Sequence, residues 1–121
     1  MREAVIVSAV RSPVGKRGGV FADLHPVELG AQVLNGLAAA VGLDPAEVDD
    51  VIWGCVGQGG EQTGDIARTT VISAGWPLEV PGVTVDRQCG SSQQAYHFAA
   101  QGVMAGAYDV VVASGVEVMS L

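Results

Sequence analysis

Four short runs of continuous apolar residues, separated by stretches with helical periodicity, constrain this chain more than any other feature. The runs are AVIVSAV at 4–10, VIWGCV at 51–56, GVTV at 82–85 and VVVAS at 110–114. None alternates in and out as a half-solvated strand does, so each reads as a strand covered on both faces. Strands of that kind belong to parallel sheets, whose connections are helical crossovers. The predicted order is β-α-β-α-β-α-β, an α/β fold with a mainly parallel sheet flanked by helices.

The first helix starts at Pro26 and places Leu29, Val33, Leu34, Leu37 and Val41 on one face before Gly42 stops it. Glu28, Gln32 and Asn35 fall on the other face. Asp44, Pro45 and Glu47 form a helix-start signature with Asp44 as cap, giving a short turn before the second strand. A second helix spans Gly64 to Ala74 and is ended by Gly75 and Pro77. The third, from Gly90 to Ala107, contains no Asp, Glu, Lys or Arg. Its expected sheet-facing stripe is Ala95, Phe98, Ala99, Gly102 and Val103, while Gln94, His97, Gln101 and Met104 lie opposite without a charge. A helix uncharged all round is one buried all round. The elements predicted here cannot cover its far side, so a missing half or an obligate partner is expected.

Length and charge narrow the classes. At 121 residues one domain with one core is expected, built from Val, Ala, Leu and Ile because aromatics make up only 5%. Six Lys plus Arg against thirteen Asp plus Glu give a formal charge of -7, which argues against nucleic acid or an anionic membrane as partner. Two cysteines without a secretory signal read as free thiols in a cytoplasmic protein. No run approaches transmembrane length, and no metal site is expected.

The chemistry centres on Cys89, set between VTVDRQ and the uncharged GSSQQAYHFAAQGVMAGA. A thiol there sits at a strand-to-helix elbow. The first turn of a helix offers unpaired N–H groups and a positive dipole end, which favour thiolate over thiol and hold a developing oxyanion. Cys89 is therefore the candidate nucleophile, against the plainer reading of a small buried hydrophobe. Cys55, inside an apolar strand, reads as core. His97 is eight residues along the helix, about 12 Å of rise, too far to serve Cys89 as base. Asp86 and Arg87 read as structural or interface groups, and Arg68 as either an anion ligand or a solvated helix residue. The glycines at 57, 59 and 60 in VGQGGEQTGD match a phosphate loop only loosely, since no GKS or GKT follows.

The segment VDRQCGSSQQA at 85–95 resembles the active-site cysteine motif of thiolases, the acetyl-CoA acetyltransferases that make or break β-ketoacyl thioesters. VIVSAVRSPVGKRGG is similar to the thiolase first strand and loop, HPVELG to the opening of its first helix, and GVEVMS to the end of its fourth strand. The resemblance spans essentially the whole chain. It departs at Ser92, where the family usually has Gly, and at Ser114-Gly115, where it has Gly-Gly. A hydroxyl at Ser92 is expected to narrow the substrate channel.

The resemblance implies that Cys89 attacks a thioester carbonyl, with its own backbone N–H as one oxyanion donor, and forms an acyl-cysteine. Coenzyme A thioesters are then substrates, with no tightly bound cofactor. The Gly-His-Pro histidine and second cysteine of thiolases belong to a C-terminal half, and neither is in this sequence. His25-Pro26 is not that motif, because it leads into the first helix and stands in the wrong chain order. The pantetheine loop domain and a fifth strand are absent too. Residues 1–121 thus read as a partial thiolase N-terminal domain carrying the acyl-accepting cysteine, inactive alone, and forming a homo-oligomer or a complex with a missing C-terminal half. The alternative is a non-catalytic interaction protein derived from a truncated thiolase. A third reading is a redox-responsive thiol.

Overall fold

A computed structural model describes residues 1–120. Three parallel strands, β1 (Asp50–Gly54), β2 (Val83–Val85) and β3 (Val111–Gly115), form a sheet of order β2-β1-β3. Ile52 pairs with Val83 on one side of β1 and with Ala113 on the other. Helices α1 (Pro26–Val41) and α2 (Ile66–Ser73) cover one face, and α3 (Ser91–Met104) the other. Alternation along β1 explains both cores. Val51 and Trp53 point into the larger one with Leu34, Ile66, Val71 and Val112, while Ile52 meets Ala95 and Ala99 of α3.

Each helix has a local cause. Pro26 opens α1, and the His25 ring Nδ1 accepts the Val27 N–H at 3.1 Å as its cap, so this histidine is occupied structurally. Gly42 ends the helix in the left-handed region at φ 64°. Asp44 Oδ1 accepts from Ala46 N–H at 3.0 Å and caps the 3₁₀ turn Pro45–Glu47 that leads into β1. Helix α2 starts two residues later than expected because Gly64 and Asp65 both have positive φ. Its first turn is capped from the sheet: the Thr84 hydroxyl accepts from Ala67 N–H at 3.1 Å and donates to Asp65 Oδ1 at 2.7 Å.

Three expectations are corrected. The run 4–10 is not a strand of the sheet. Val5, Ile6 and Val7 are 70%, 67% and 73% exposed, and among the described residues no backbone hydrogen bond joins this run to its neighbours. Paired strands lie about 4.8 Å apart, and this run pairs with none of the three strands. Arg2 anchors its start beside β3 through Asp109 at 2.6 Å and the Tyr108 carbonyl at 3.3 Å. Its far end, with Arg11 and Ser12, lines a cavity of about 790 Å³ shared with Ala113 and Val116. The run therefore travels alongside β3 without touching its hydrogen-bonding edge.

The buried face of α1 is rotated from the one expected, to Pro26, Gly30, Ala31, Leu34 and Ala38, with Val41 exposed. Small residues face inward because α1 must lie close to β1 and α2. A Cβ on Gly30 would stand 3.0 Å from the Trp53 ring and 2.8 Å from Thr70 Cγ2. Trp53 is wholly buried there with its indole N–H unpaired. Burying 150–250 Å² of indole is worth about 4–6 kcal/mol, which outweighs an unpaired donor at about 1–3 kcal/mol.

In α3 the buried residues are Ser91, Ala95 and Ala99, and Phe98 is exposed. Here too the small side chains face the sheet. Tyr108 fills the space beside Gly102, where a Cβ would strike its ring, and donates its hydroxyl to Asp50 Oδ2 at 2.9 Å. No helix among the described residues is long and apolar enough to cross a membrane.

Candidate active site at the Cys89 elbow

Five residues, 86–90, turn the chain from β2 into α3. Asp86 Oδ1 accepts from Gln88 N–H at 2.8 Å, and Gln88 takes the left-handed conformation at φ 48°. The Ser91 hydroxyl accepts from Arg87 N–H at 2.8 Å and donates to the Gln88 carbonyl at 2.6 Å. Arg87 reaches over to Gln94 Oε1 at 2.9 Å. Asp86 and Arg87 are thus structural groups of the elbow, and Ser91, buried and with both hydroxyl roles used, is its central tie. What the elbow presents is Cys89, exposed one residue before the Gly90 N-cap, which supplies no capping side chain. The Gly90 and Ser91 N–H groups bond back to the Arg87 and Gln88 carbonyls at 3.0 Å and 3.1 Å, so the N–H groups left for another acceptor at this end are those of Ser92 and Gln93.

Two glycines bring the helix end down onto the sheet. A Cβ on Gly54 would collide with the backbone of Ser91 and Ser92, and one on Gly115 with the Ser92 hydroxyl. The Ser92 hydroxyl therefore lies against the end of β3, in the wall between the two cavities of the molecule. The second cavity, about 830 Å³, holds Cys89 in its wall together with Cys55, Gly57, Gln62 and Glu117.

Cys55 is the core residue expected, 1% exposed. Burial, then the Glu117 and Asp86 carboxylates, push its thiol up to about 11, so it stays protonated and unreactive at neutral pH. His97 is exposed and set edge-on against Tyr96 at 5.9 Å. Neither histidine stands at the elbow. Arg68 donates to the Val80 carbonyl at 2.6 Å and the Leu78 carbonyl at 2.9 Å, a structural tie to the segment before β2.

The glycine loop after β1 is not a phosphate cradle. Glu117 already occupies its amides: Oε1 accepts from Val56 N–H at 2.9 Å, and Oε2 from Gly57 N–H at 3.3 Å. Gln62, only 3% exposed, joins the same carboxylate at 2.9 Å. Neither Gln62 nor Glu117 carries a motif or periodic signal in the sequence, although they stand inside VGQGGEQTGD and GVEVMS. Among the described residues no group of His, Cys, Asp and Glu is arranged to hold a metal ion.

The family profile described as Thiolase, N-terminal domain, matches residues 4–121. The chain belongs to the thiolase family. It is 59% identical to the steroid 3-ketoacyl-CoA thiolase FadA6 of Mycobacterium tuberculosis over 120 residues, 99% of this chain and 30% of that protein. It is 46% identical to a 3-ketoacyl-CoA thiolase of Saccharophagus degradans, covering 98% of this chain and 31% of the relative. Its fold matches the crystal structure of the Bacillus anthracis acetyl-CoA acetyltransferase with a TM-score of 0.90 at 45% identity, over 96% of this chain and 29% of that one. This thiolase chain thus spans about 30% of the length of the curated relatives it matches.

Proposed function

We propose that this chain is the N-terminal part of a thiolase-type acyltransferase in which Cys89 accepts the acyl group of a coenzyme A thioester. The observation that carries the reading is the exposed thiol at the β2–α3 elbow, beside a helix N-terminus and in the wall of a cavity. The Cys89 sulfur attacks the thioester carbonyl. The carbonyl π electrons move onto oxygen, where the Cys89 N–H stabilises the oxyanion, and collapse expels the coenzyme A thiolate, which takes up a proton. The product is an acyl-cysteine. The names of the two curated relatives support a 3-ketoacyl-CoA as donor in the cleaving direction: there Cys89 attacks the 3-keto carbon, the C2–C3 bond breaks to release acetyl-CoA as an enolate that takes up a proton at C2, and a second coenzyme A thiol accepts the acyl group from the cysteine.

That second half-reaction needs a base, and the two histidines here are placed elsewhere. Residues 1–121 therefore act as a partial N-terminal domain, with the loop domain, a fifth strand and the C-terminal catalytic histidine and cysteine supplied by further polypeptide. The outer edge of β3, which pairs with β1 alone, supports this, because an unpaired edge can take a further strand. We read the assembly as cytoplasmic and oligomeric, with no tightly bound cofactor. The same open edge favours a second reading, a non-catalytic assembly module whose exposed Val5, Ile6 and Val7 associate with another chain.

Intact-mass measurement after incubation with acetyl-CoA tests the first reading. An acetyl adduct that disappears in Cys89→Ser supports it. An adduct on another residue, or none when a C-terminal thiolase half is added, overturns it in favour of the assembly role.

A further inference from the structure

We propose that Gln62 and Glu117 are positioning residues for Cys89: an amide–carboxylate pair that locks two walls of the cavity together and so governs how an extended apolar group approaches the thiol. The inference rests on the reading of Cys89 as acyl acceptor and deepens it.

The pair joins segments that leave different strands. Gln62 lies in the loop after β1, and Glu117 follows β3. The Gln62 amide donates to Glu117 Oε2 at 2.9 Å and to the Gly57 carbonyl at 2.7 Å, and its oxygen accepts from Val118 N–H at 2.7 Å. Both donors and the acceptor of a nearly buried side chain are thereby used, so the amide has one orientation. Glu117 in turn holds Val56 and Gly57 by their N–H groups. Gly57 leaves room for this geometry: a Cβ there would stand 3.1 Å from Glu117 Oε2 and 3.3 Å from Gln62 Nε2 and would push both by a few tenths of an ångström.

The locked segments carry Val56, Val116, Val118 and Met119 into the cavity that Cys89 shares. These side chains make an apolar seat beside a reactive atom. Among the described residues no other side-chain hydrogen bond joins these two loops, so without the pair they would hold that seat only loosely, and orientation is what such a loss removes. Gln62 and Glu117 need not touch the thiol to act.

The test uses the full chain and the modification rate of Cys89 by N-ethylmaleimide and N-octylmaleimide, followed by intact mass, with buried Cys55 as the silent thiol. In the unaltered chain the octyl reagent reacts faster by about tenfold, the gain expected when roughly two methylenes leave water in the seat. Glu117→Ala and Gln62→Ala lose that preference while keeping the ethyl rate and the circular dichroism of the folded chain. Glu117→Gln, whose amide oxygen still accepts from Val56, recovers part of it and serves as the comparison should the alanine variants fail to fold. A preference retained in every folded variant, or absent from the unaltered chain, overturns the proposal. Equal loss of both rates in a folded variant also overturns it, since the pair would then act on the thiol itself. Acetyl transfer is not needed for this readout, so failure of the acyl-acceptor reading shows separately as a missing acetyl adduct.

Discussion

Gly54→Ala couples the fold to the chemistry through a single methyl group. The new Cβ would strike the Ser92 backbone nitrogen and stand 2.6 Å from the Ser91 carbonyl carbon, where ordinary contact begins at 3.4 Å, so the start of α3 must withdraw by about 1 Å. The obstacle is backbone, which has no rotamer to change. Overpacking of this kind costs about 1–3 kcal/mol, or a loss of several degrees in Tm for a chain of this size. Cys89 precedes the displaced turn directly, and a misplacement near 1 Å lowers a positioned reaction by on the order of a hundredfold. The assay is thermal unfolding by circular dichroism alongside the rate of acetyl adduct formation at Cys89. Gly36→Ala is the control, because nothing lies within 4 Å of its Cβ in the exposed middle of α1. That change should raise stability by about 0.5–1 kcal/mol. If Gly54→Ala melts with the unaltered chain and acylates at the same rate, the close approach of helix to strand is not what positions the thiol.

Three further outcomes are expected. Leu34→Ala empties a fully buried site between α1 and the sheet and should cost about 2–5 kcal/mol in urea unfolding, with Cys89 labelling in the folded chain unchanged. Hydrogen bonds from the Val110 and Asp109 amides hold the Asp49 carboxyl below its ordinary 3.8, so its contribution is full above that pH and is lost as the pH falls through the lower folded value. Melting temperatures of Asp49→Asn and the unaltered chain should therefore converge in acid, and a constant difference down to the lowest accessible pH would contradict the assignment. Iodoacetamide at neutral pH should label Cys89 alone in the folded chain and both cysteines in urea, since burial and nearby carboxylates push Cys55 up to about 11. Folded-state labelling of Cys55 would show that the end of β1 is open.

The sequence was most legible where local chemistry decides structure. Three of the four apolar runs are strands, the Asp44 cap and the Pro26 and Gly42 boundaries hold, and the elbow at Cys89 is where a β-branched run gives way to an uncharged helix. The misreadings share one cause. The run 4–10 carries the same signal as the others, yet strand formation depends on pairing with a distant segment, which no local pattern encodes. Helices α1 and α3 turn Gly30, Ala31, Ala95 and Ala99 inward, because close approach to the sheet favours the smallest side chains over the most hydrophobic. Gln62 and Glu117 lie 55 residues apart, and neither belongs to a periodic pattern, so only the fold brings them together.

The topology explains why that meeting falls beside Cys89. In a parallel sheet of order β2-β1-β3, the chain leaves β1 for one neighbour and later returns to pair on its other side. The loops leaving the adjacent carboxyl ends of β1 and β2 run to α2 and α3 on opposite faces of the sheet, and such a divergence opens a crevice where α/β proteins bind ligands. The elbow after β2 carries the thiol to this crevice, while Gln62 and Glu117 tie the loop after β1 to the segment after β3 in the same cavity. A reactive cysteine at the end of an edge strand and a buried amide clamp between the other two strand ends thus meet because of one strand order. That is the physical reason to expect Glu117→Ala to change which groups reach Cys89 while leaving its exposure unaltered.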